Sequence, residues 1–379
     1  MVRQTRSVWL RRRISLSNSS SFSAVLRCAL LLLALLLPAA DTPPTSAMPG
    51  AGAQPLIVYA RGSEMPQEVI DAFVAESGVP VKVVIFDTPD GGEDGLLSGA
   101  QIDVTYVSNR VIPQLVAAGL LHPLDYQHLS NFKNISLNFR DLSFDPGNRY
   151  SIPYAWGASG IVARTDKLSK PITDWIDLWD EAHCGHIAVW SPQYRQVIGA
   201  TLKSLGYSAN SENPAELAAA RERLRVLRPC VRVLTGTNVM EYIPDLVRGE
   251  LIIGVGNPHE AYALRSLGFP FYYYQPQEGM LLWGDSFVVA ANSTQPEAAE
   301  QFINFLLRPE IGAELANANF YQLANEAARP LIAPDLLADP MLYQTSEMLR
   351  HAEILLPLSQ EGEARYAVIW QEFTGAVVD

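Results

Sequence analysis

From Leu56 onward the chain alternates short apolar runs with helix-length amphipathic segments, which limits it to folds where helices cover an open α/β sheet. Leu56 to Tyr59 reads as a strand, Pro66 to Ser77 as a helix with Val69, Ile70, Phe73 and Val74 on its apolar side, and Val81 to Phe86 as a second strand. A Gly/Asp-rich loop follows. Asp103 to Val107 is then a third strand, with a turn at Ser108-Asn109-Arg110 and a helix to Gly119. Ligands of such sheets bind outside the carboxyl ends of the strands, which selects the loops Ala60 to Glu64 and Ser108 to Arg110.

Asp125 to Tyr150 is polar and irregular, and Ser151 to Ile161, SIPYAWGASGI, reads as an extended segment crossing into a second α/β unit. That unit comprises a helix-like Ile172 to Glu181, strand Gly185 to Trp190, helices Arg195 to Leu205 and Pro214 to Leu227, and strands Val231 to Leu234, Glu250 to Gly256 and Phe269 to Gln275. No internal repeat or heptad run is evident.

The stretch Glu278 to Pro309 joins a chemical feature to this framework. Met280 to Ala291 reads as a buried strand, and period-2 alternation points Trp283 and Asp285 to the same side, an aromatic plate beside an acid. A buried carboxylate needs a cation, from an internal Arg or Lys or from a ligand. Ser293 or Thr294 is expected to cap the next helix, with Thr294 and Glu297 at capping-box spacing, and Arg308-Pro309 to close it.

The first 40 residues carry six arginines and no acid, then the apolar run Cys28 to Leu37 and Pro38-Ala39-Ala40. This is the pattern of a secretory signal peptide, its apolar run too short for a bilayer span. An uncleaved anchor is the alternative. Cleavage is expected after Ala40 or after Ala53, with 41–53 a flexible lead, and Arg12-Arg13 is only a weak twin-arginine pattern. Losing the six arginines moves the formal charge from −12 to −18, a poor match to nucleic acid and a reasonable one to cationic solutes. Cys184 and Cys230 each precede an expected strand. If those strands are parallel, a disulfide is one reading in an oxidising compartment and two buried thiols the other. His183, Cys184 and His186 sit at alternate positions of a strand entry, where metal ligands rarely converge.

With these pieces in order, the chain resembles the periplasmic spermidine- and putrescine-binding proteins of ABC importers from about Leu56 to its end. The resemblance is carried by YSIPYAWGASGI (Tyr150 to Ile161), LKSLGYSANSENPAEL (Leu202 to Leu217), EGMLLWGDSFVVAAN (Glu278 to Asn292), INFLLRP (Ile303 to Pro309) and NFYQLANEAARPL (Asn319 to Leu331). It implies a two-lobed α/β periplasmic binding protein of type II, with the ligand cleft between lobes 54–153 plus 286–322 and 154–285 plus 323–379. It further implies that Trp283 and Asp285 hold one end of an amine, that Glu260 is a second acid, and that Tyr321 and Ser108 line the site. Departures from the family pattern are Arg61 where an aromatic plate is expected, Arg110 at another ligand-facing position, Gln193 and Gln196 at positions often acidic, and Asn257 for a tryptophan.

Two arginines near the cleft would weaken polyamine binding and favour an amino-carboxylate or an acylated polyamine, since Arg presents a fork suited to carboxylate. The alternative pairs Arg61 and Arg110 with Glu64 and Asp285 across the cleft, or leaves them facing solvent. Gly157-Ala158-Ser159-Gly160 is not a nucleophile elbow and Gly254-Val255-Gly256 lacks the third glycine of a phosphate loop, so no enzyme is expected. Tyr272-Tyr273-Tyr274 raises ferric iron capture, although alternation turns Tyr273 away from the other two. The expectation is therefore an exported, periplasmic, monomeric solute-binding protein without cofactor or resident metal. Its partners would be a small amine-bearing ligand and a permease, or a membrane sensor if the role is signalling.

Overall fold

The computed structural model describes residues 54–379 apart from 63, 87–89, 191–192, 235–242, 346 and 376–379, so the expected leader, its cleavage sites and Cys28 lie outside the described residues. Strand β1 (Leu56–Arg61) buries every second side chain and runs two residues further than its apolar pattern predicts, so Arg61 ends a strand instead of sitting in a loop. Helix α1 (Gln67–Ser77) covers it with Val69, Ile70 and Phe73 and stops at Gly78, whose left-handed backbone suits glycine. Strand β2 (Val81–Phe86) lies parallel to β1.

The Gly/Asp-rich stretch expected as loop contains helix α2 (Gly91–Leu97). Its glycines supply clearance, since a Cβ on Gly92 would strike the carbonyl of Tyr106 and the hydroxyl of Thr105. Composition alone therefore read a tightly apposed helix as a loop. Strand β3 (Val104–Ser108) and helix α3 (Ile112–Ala117) follow.

Strand β4 (Ser151–Arg164) is the crossing element. Beyond it, the expected helix at Ile172 to Glu181 reduces to a 3₁₀ turn, Trp175–Trp179, anchored by fully buried Trp175 and a capping box between Asp174 and Asp177. The second unit then contains β5 (Ile187–Trp190), α4 (Tyr194–Ser204), α5 (Pro214–Leu227), β6 (Val231–Leu234), α6 (Ile243–Arg248), β7 (Ile253–Gly256), α7 (Pro258–Ser266) and β8 (Phe271–Tyr274). Strands β5 and β6 are parallel neighbours, and Cys184 and Cys230, just ahead of them, are joined in a disulfide.

The chain returns through β9 (Leu281–Val289), α8 (Pro296–Leu306), α9 (Pro309–Asn319) and β10 (Gln322–Leu323), and closes with α10 (Pro334–Leu337), β11 (Glu353–Ile354) and α11 (Gln360–Thr374). The capping box expected from Thr294 and Glu297 does not form. Pro296 occupies the first turn of α8, Gln295 is its N-cap without a side-chain bond, and the Ser293 hydroxyl instead accepts from the Gln295 N–H at 3.1 Å and donates to Asp103 at 2.6 Å.

The sheet runs β2-β1-β3-β9-β4-β7-β5-β6. The first part of β4 pairs antiparallel with β9, and from Gly160 it pairs with β7 and β8, so one strand ties two packed regions together. One apolar cluster includes Val58, Phe73, Phe287, Phe302 and Ala324; another includes Trp175, Ile198, Leu355, Tyr366 and Trp370. β4 contributes Ile152 to the first and Ile161 to the second.

Candidate functional site

The carboxyl ends of β1 and β3 meet the middle of β9. Ser108 lies opposite Asp285 in the β3–β9 ladder, and Asp285 opposite Ala155 on its other side. Gly284, between Trp283 and Asp285, leaves space for Asn109, whose amide would lie 2.5 Å from an added Cβ. Gly157 does the same for Trp283, whose ring would lie 2.5 Å from a Cβ there.

Arg61 reaches this junction from β1. Its Nη1 lies 3.3 Å from Glu64 Oε1 and its Nη2 lies 3.8 Å from Asp285 Oδ2, while its guanidinium carbon is 5.6 Å from the centre of the Tyr106 ring. Glu64 is otherwise fully engaged. The Tyr321 hydroxyl donates to its Oε1 at 2.6 Å, and the Tyr106 hydroxyl donates to Oε2 while accepting from the Arg61 backbone N–H at 2.8 Å. Asp285 has no hydrogen-bond donor among the described residues and faces Arg61 beyond hydrogen-bond range. Burial raises its pKa to about 6, against the opposing pull of Arg61.

The plate is held from the other side. The Trp283 indole N–H donates to Asn257 Oδ1 at 2.9 Å, and the Ser159 hydroxyl donates to the same oxygen at 2.9 Å. Asn257 and Glu260 form the capping box of α7, in which the Asn257 backbone N–H donates to Glu260 Oε2 at 2.8 Å. Burial raises the pKa of Glu260, and these N–H groups lower it. The Glu260 carboxylate thus serves the helix start. The His259 ring packs edge-on against Tyr321 with centroids 4.6 Å apart, and burial together with Arg61 lowers its pKa to about 3, so it stays neutral near pH 7.

Arg110 belongs to a second cluster. It donates to the Tyr194 hydroxyl at 3.0 Å and to Asp90 Oδ1 at 3.2 Å, and the Tyr194 hydroxyl in turn donates to Glu363 Oε2 at 2.8 Å. Burial raises the pKa of nearby Glu93 to about 7. Gln193 is the N-cap residue of α4 without a side-chain cap bond, and its buried Oε1 has no hydrogen-bond partner among the described residues. Gln196 is half-buried in the first turn.

Other sequence candidates fall elsewhere. The buried Tyr273 hydroxyl donates to the Ala158 carbonyl at 2.6 Å, and Tyr272 and Tyr274 pair ring to ring on the opposite face of β8. His183 and His186 place ring nitrogens 3.1 Å from the backbone carbonyls of Asp177 and Glu250. Among the described residues no group of three or more His, Cys, Asp or Glu side chains gathers as for a metal ion.

A family model for bacterial extracellular solute-binding proteins matches residues 68–342. The chain is a bacterial extracellular solute-binding protein. Proteins of this family are non-catalytic, and this one is the binding component of an ABC transporter, which implies a ligand and a permease. The spermidine/putrescine-binding periplasmic protein of Escherichia coli strain K12 is 31% identical over 304 residues, covering 79% of this chain and 85% of the relative. The putrescine/agmatine-binding protein of Pseudomonas aeruginosa PAO1 is 30% identical over 303 residues, covering 74% and 81%. Among solved structures, a candidate spermidine/putrescine ABC transporter protein of Listeria monocytogenes has a TM-score of 0.77 at 30% identity, covering 84% of this chain and 98% of that one. A spermidine/putrescine ABC transporter substrate-binding protein of Streptococcus pneumoniae has a TM-score of 0.73 at 29% identity, covering 85% and 99%.

In this solute-binding protein the sequence candidates Arg61, Ser108, Asn257, Trp283, Asp285 and Tyr321 come together around β9, with Glu260 behind Asn257, whereas Arg110 lies with Tyr194. Tyr106 and His259 were missed as members of the junction. Tyr106 could have been found, because period 2 puts it on the Ser108 face of β3. His259 had no such signal, since its place depends on α7 meeting Tyr321 across the fold.

Proposed function

We propose that this protein captures a polyamine or a related small amine-bearing solute in the periplasm and delivers it to the permease of an ABC importer. The observation that carries this reading is Asp285, a largely buried carboxylate at the carboxyl end of the β1–β3 sheet, without a hydrogen-bond donor among the described residues and beside an aromatic plate. An ammonium group would supply the missing donors at roughly 1.5 to 3 kcal/mol per charge-assisted bond, and Trp283 and Tyr321 would cover the adjoining methylenes. The relatives named for spermidine, putrescine and agmatine support the same chemistry.

Delivery requires the ligand to favour one arrangement of the two packed regions over another. Arg110 beside β3 and Tyr194 at the start of α4 are a contact through which closure can be read. The test is a thermal-shift screen of the purified protein with putrescine, spermidine, their N-acetyl forms, agmatine, γ-aminobutyrate and basic amino acids. A true ligand at 100 times its Kd adds about 2.7 kcal/mol of stability. Stabilisation by at least one amine, lost in Asp285→Asn, is expected; a flat response to every amine overturns the reading.

A further inference from the structure

We propose that His259 is a ligand-reading residue of this site, its imidazole accepting a hydrogen bond from an N–H of the bound amine. This rests on the reading of the site around Asp285 as an amine site and adds a second acceptor, delivered from a different element. Helix α7 opens at Pro258, and the capping box between Asn257 and Glu260 fixes the turn that carries His259. That turn sets the imidazole beside both plates. Its centroid lies 4.6 Å from that of Tyr321 and 6.4 Å from that of Trp283, and those two rings are 6.2 Å apart. The three rings stand nearly at right angles to one another, with interplanar angles of 90°, 79° and 84°. A ligand group that rests against Trp283 and Tyr321 therefore shares one corner with the imidazole.

His128, His183 and His186 each hold a ring nitrogen 2.7 to 3.1 Å from a protein oxygen, whereas neither nitrogen of His259 has a hydrogen-bond partner among the described residues. His259 is only half-buried, so a ligand can reach it. Burial and the charge of Arg61 keep the ring neutral near pH 7, and a neutral imidazole carries one N–H and one lone pair. The lone pair suits an N–H of an ammonium or a guanidinium. The two acceptors also come from different parts of the fold. Asp285 is paired with β3, while α7 packs through Leu264 into the apolar cluster of Leu246, Leu251 and Phe271. A bond to His259 therefore ties the ligand to the second packed region, which favours the arrangement that brings the two regions together.

The test is isothermal titration of the purified protein with putrescine, spermidine, agmatine and γ-aminobutyrate, repeated on His259→Phe, which keeps a ring without nitrogen, and His259→Gln, which keeps an acceptor. Each amine that the wild type binds is expected to bind at least about ten-fold more weakly to His259→Phe and within about three-fold of wild type to His259→Gln. Wild-type affinity in His259→Phe overturns the inference while leaving amine capture intact. Equal losses in the two variants overturn it too, because the glutamine then rescues nothing. A second measurement does not depend on how the variants bind. In the ¹⁵N-labelled wild type, the tightest-binding of these amines should shift the unprotonated ring nitrogen of His259, identified as the signal absent from either variant, and a nitrogen that does not move overturns the inference. Absence of binding by every amine, the wider screen included, removes both readings.

Discussion

The indole N–H of Trp283 and the hydroxyl of Ser159 both donate to Oδ1 of Asn257, so the residue that opens α7 also fixes the aromatic plate beside Asp285. Replacing it separates neither role. Asn257→Ala removes a helix cap worth about 0.5 to 2 kcal/mol and leaves a part-buried indole N–H without its acceptor, about 1 to 3 kcal/mol more. The expected outcome is a stability loss of roughly 1.5 to 5 kcal/mol in urea melts, with weaker amine binding by titration. A variant within 0.5 kcal/mol of wild type would mean that neither contact matters.

That network explains what the sequence could and could not disclose. β4 was legible because SIPYAWGASGI carries no charged residue and reads as an extended segment, and Trp283 and Asp285 fall on one side of β9 simply by period 2. Helix α2 was hidden by glycines whose purpose is clearance against β3, and the Thr294–Glu297 box failed because Pro296 starts α8 in its place. The pairing of Arg61 with Glu64 was visible as one alternative. What decides it, the two tyrosine hydroxyls arriving from β3 and from beyond α9, is a long-range arrangement that local spacing does not encode.

The Cys184–Cys230 bridge closes a loop of 46 positions between two adjacent parallel strands. The chain-entropy relation gives about 4 kcal/mol for a loop of that length, an upper figure because the reduced chain retains structure. The double variant Cys184→Ser/Cys230→Ser is expected to lose about 2 to 4 kcal/mol and to melt at a clearly lower temperature. An unchanged melt, or free thiols by titration of the unfolded, non-reduced protein, would count against the bridge.

Asp285 and His259 pull the pH dependence in opposite directions. The carboxyl pKa of Asp285 is raised to about 6, so its contribution favours the folded state at low pH and is lost as pH rises from about 4 through 6. The imidazole of His259 is lowered to about 3, so its contribution is present above about 6.5 and is lost as pH falls through the window down to about 3. Between about pH 4 and 6 the two slopes offset each other. Asp285→Asn removes one of them, so the variant should match wild type near pH 4 and exceed it by about 2 to 3 kcal/mol at pH 7 without ligand. A difference that does not change with pH would contradict this.

Tyr194 links the two packed regions through its hydroxyl, which accepts from Arg110 and donates to Glu363. Tyr194→Phe keeps the ring under the Arg110 guanidinium, 5.2 Å from its centre, and removes only these bonds. If the contact belongs to the closed, ligand-holding arrangement, its loss weakens that arrangement selectively. At about 0.5 to 1.5 kcal/mol net, the expected effect is a Kd raised roughly 2- to 12-fold, with faster dissociation in stopped-flow and little change in the ligand-free melt. Small-angle scattering should then record a larger radius of gyration at subsaturating ligand than in wild type. An equal loss of stability with and without ligand would instead make Tyr194 a packing residue of α4, and closure would have to be read elsewhere.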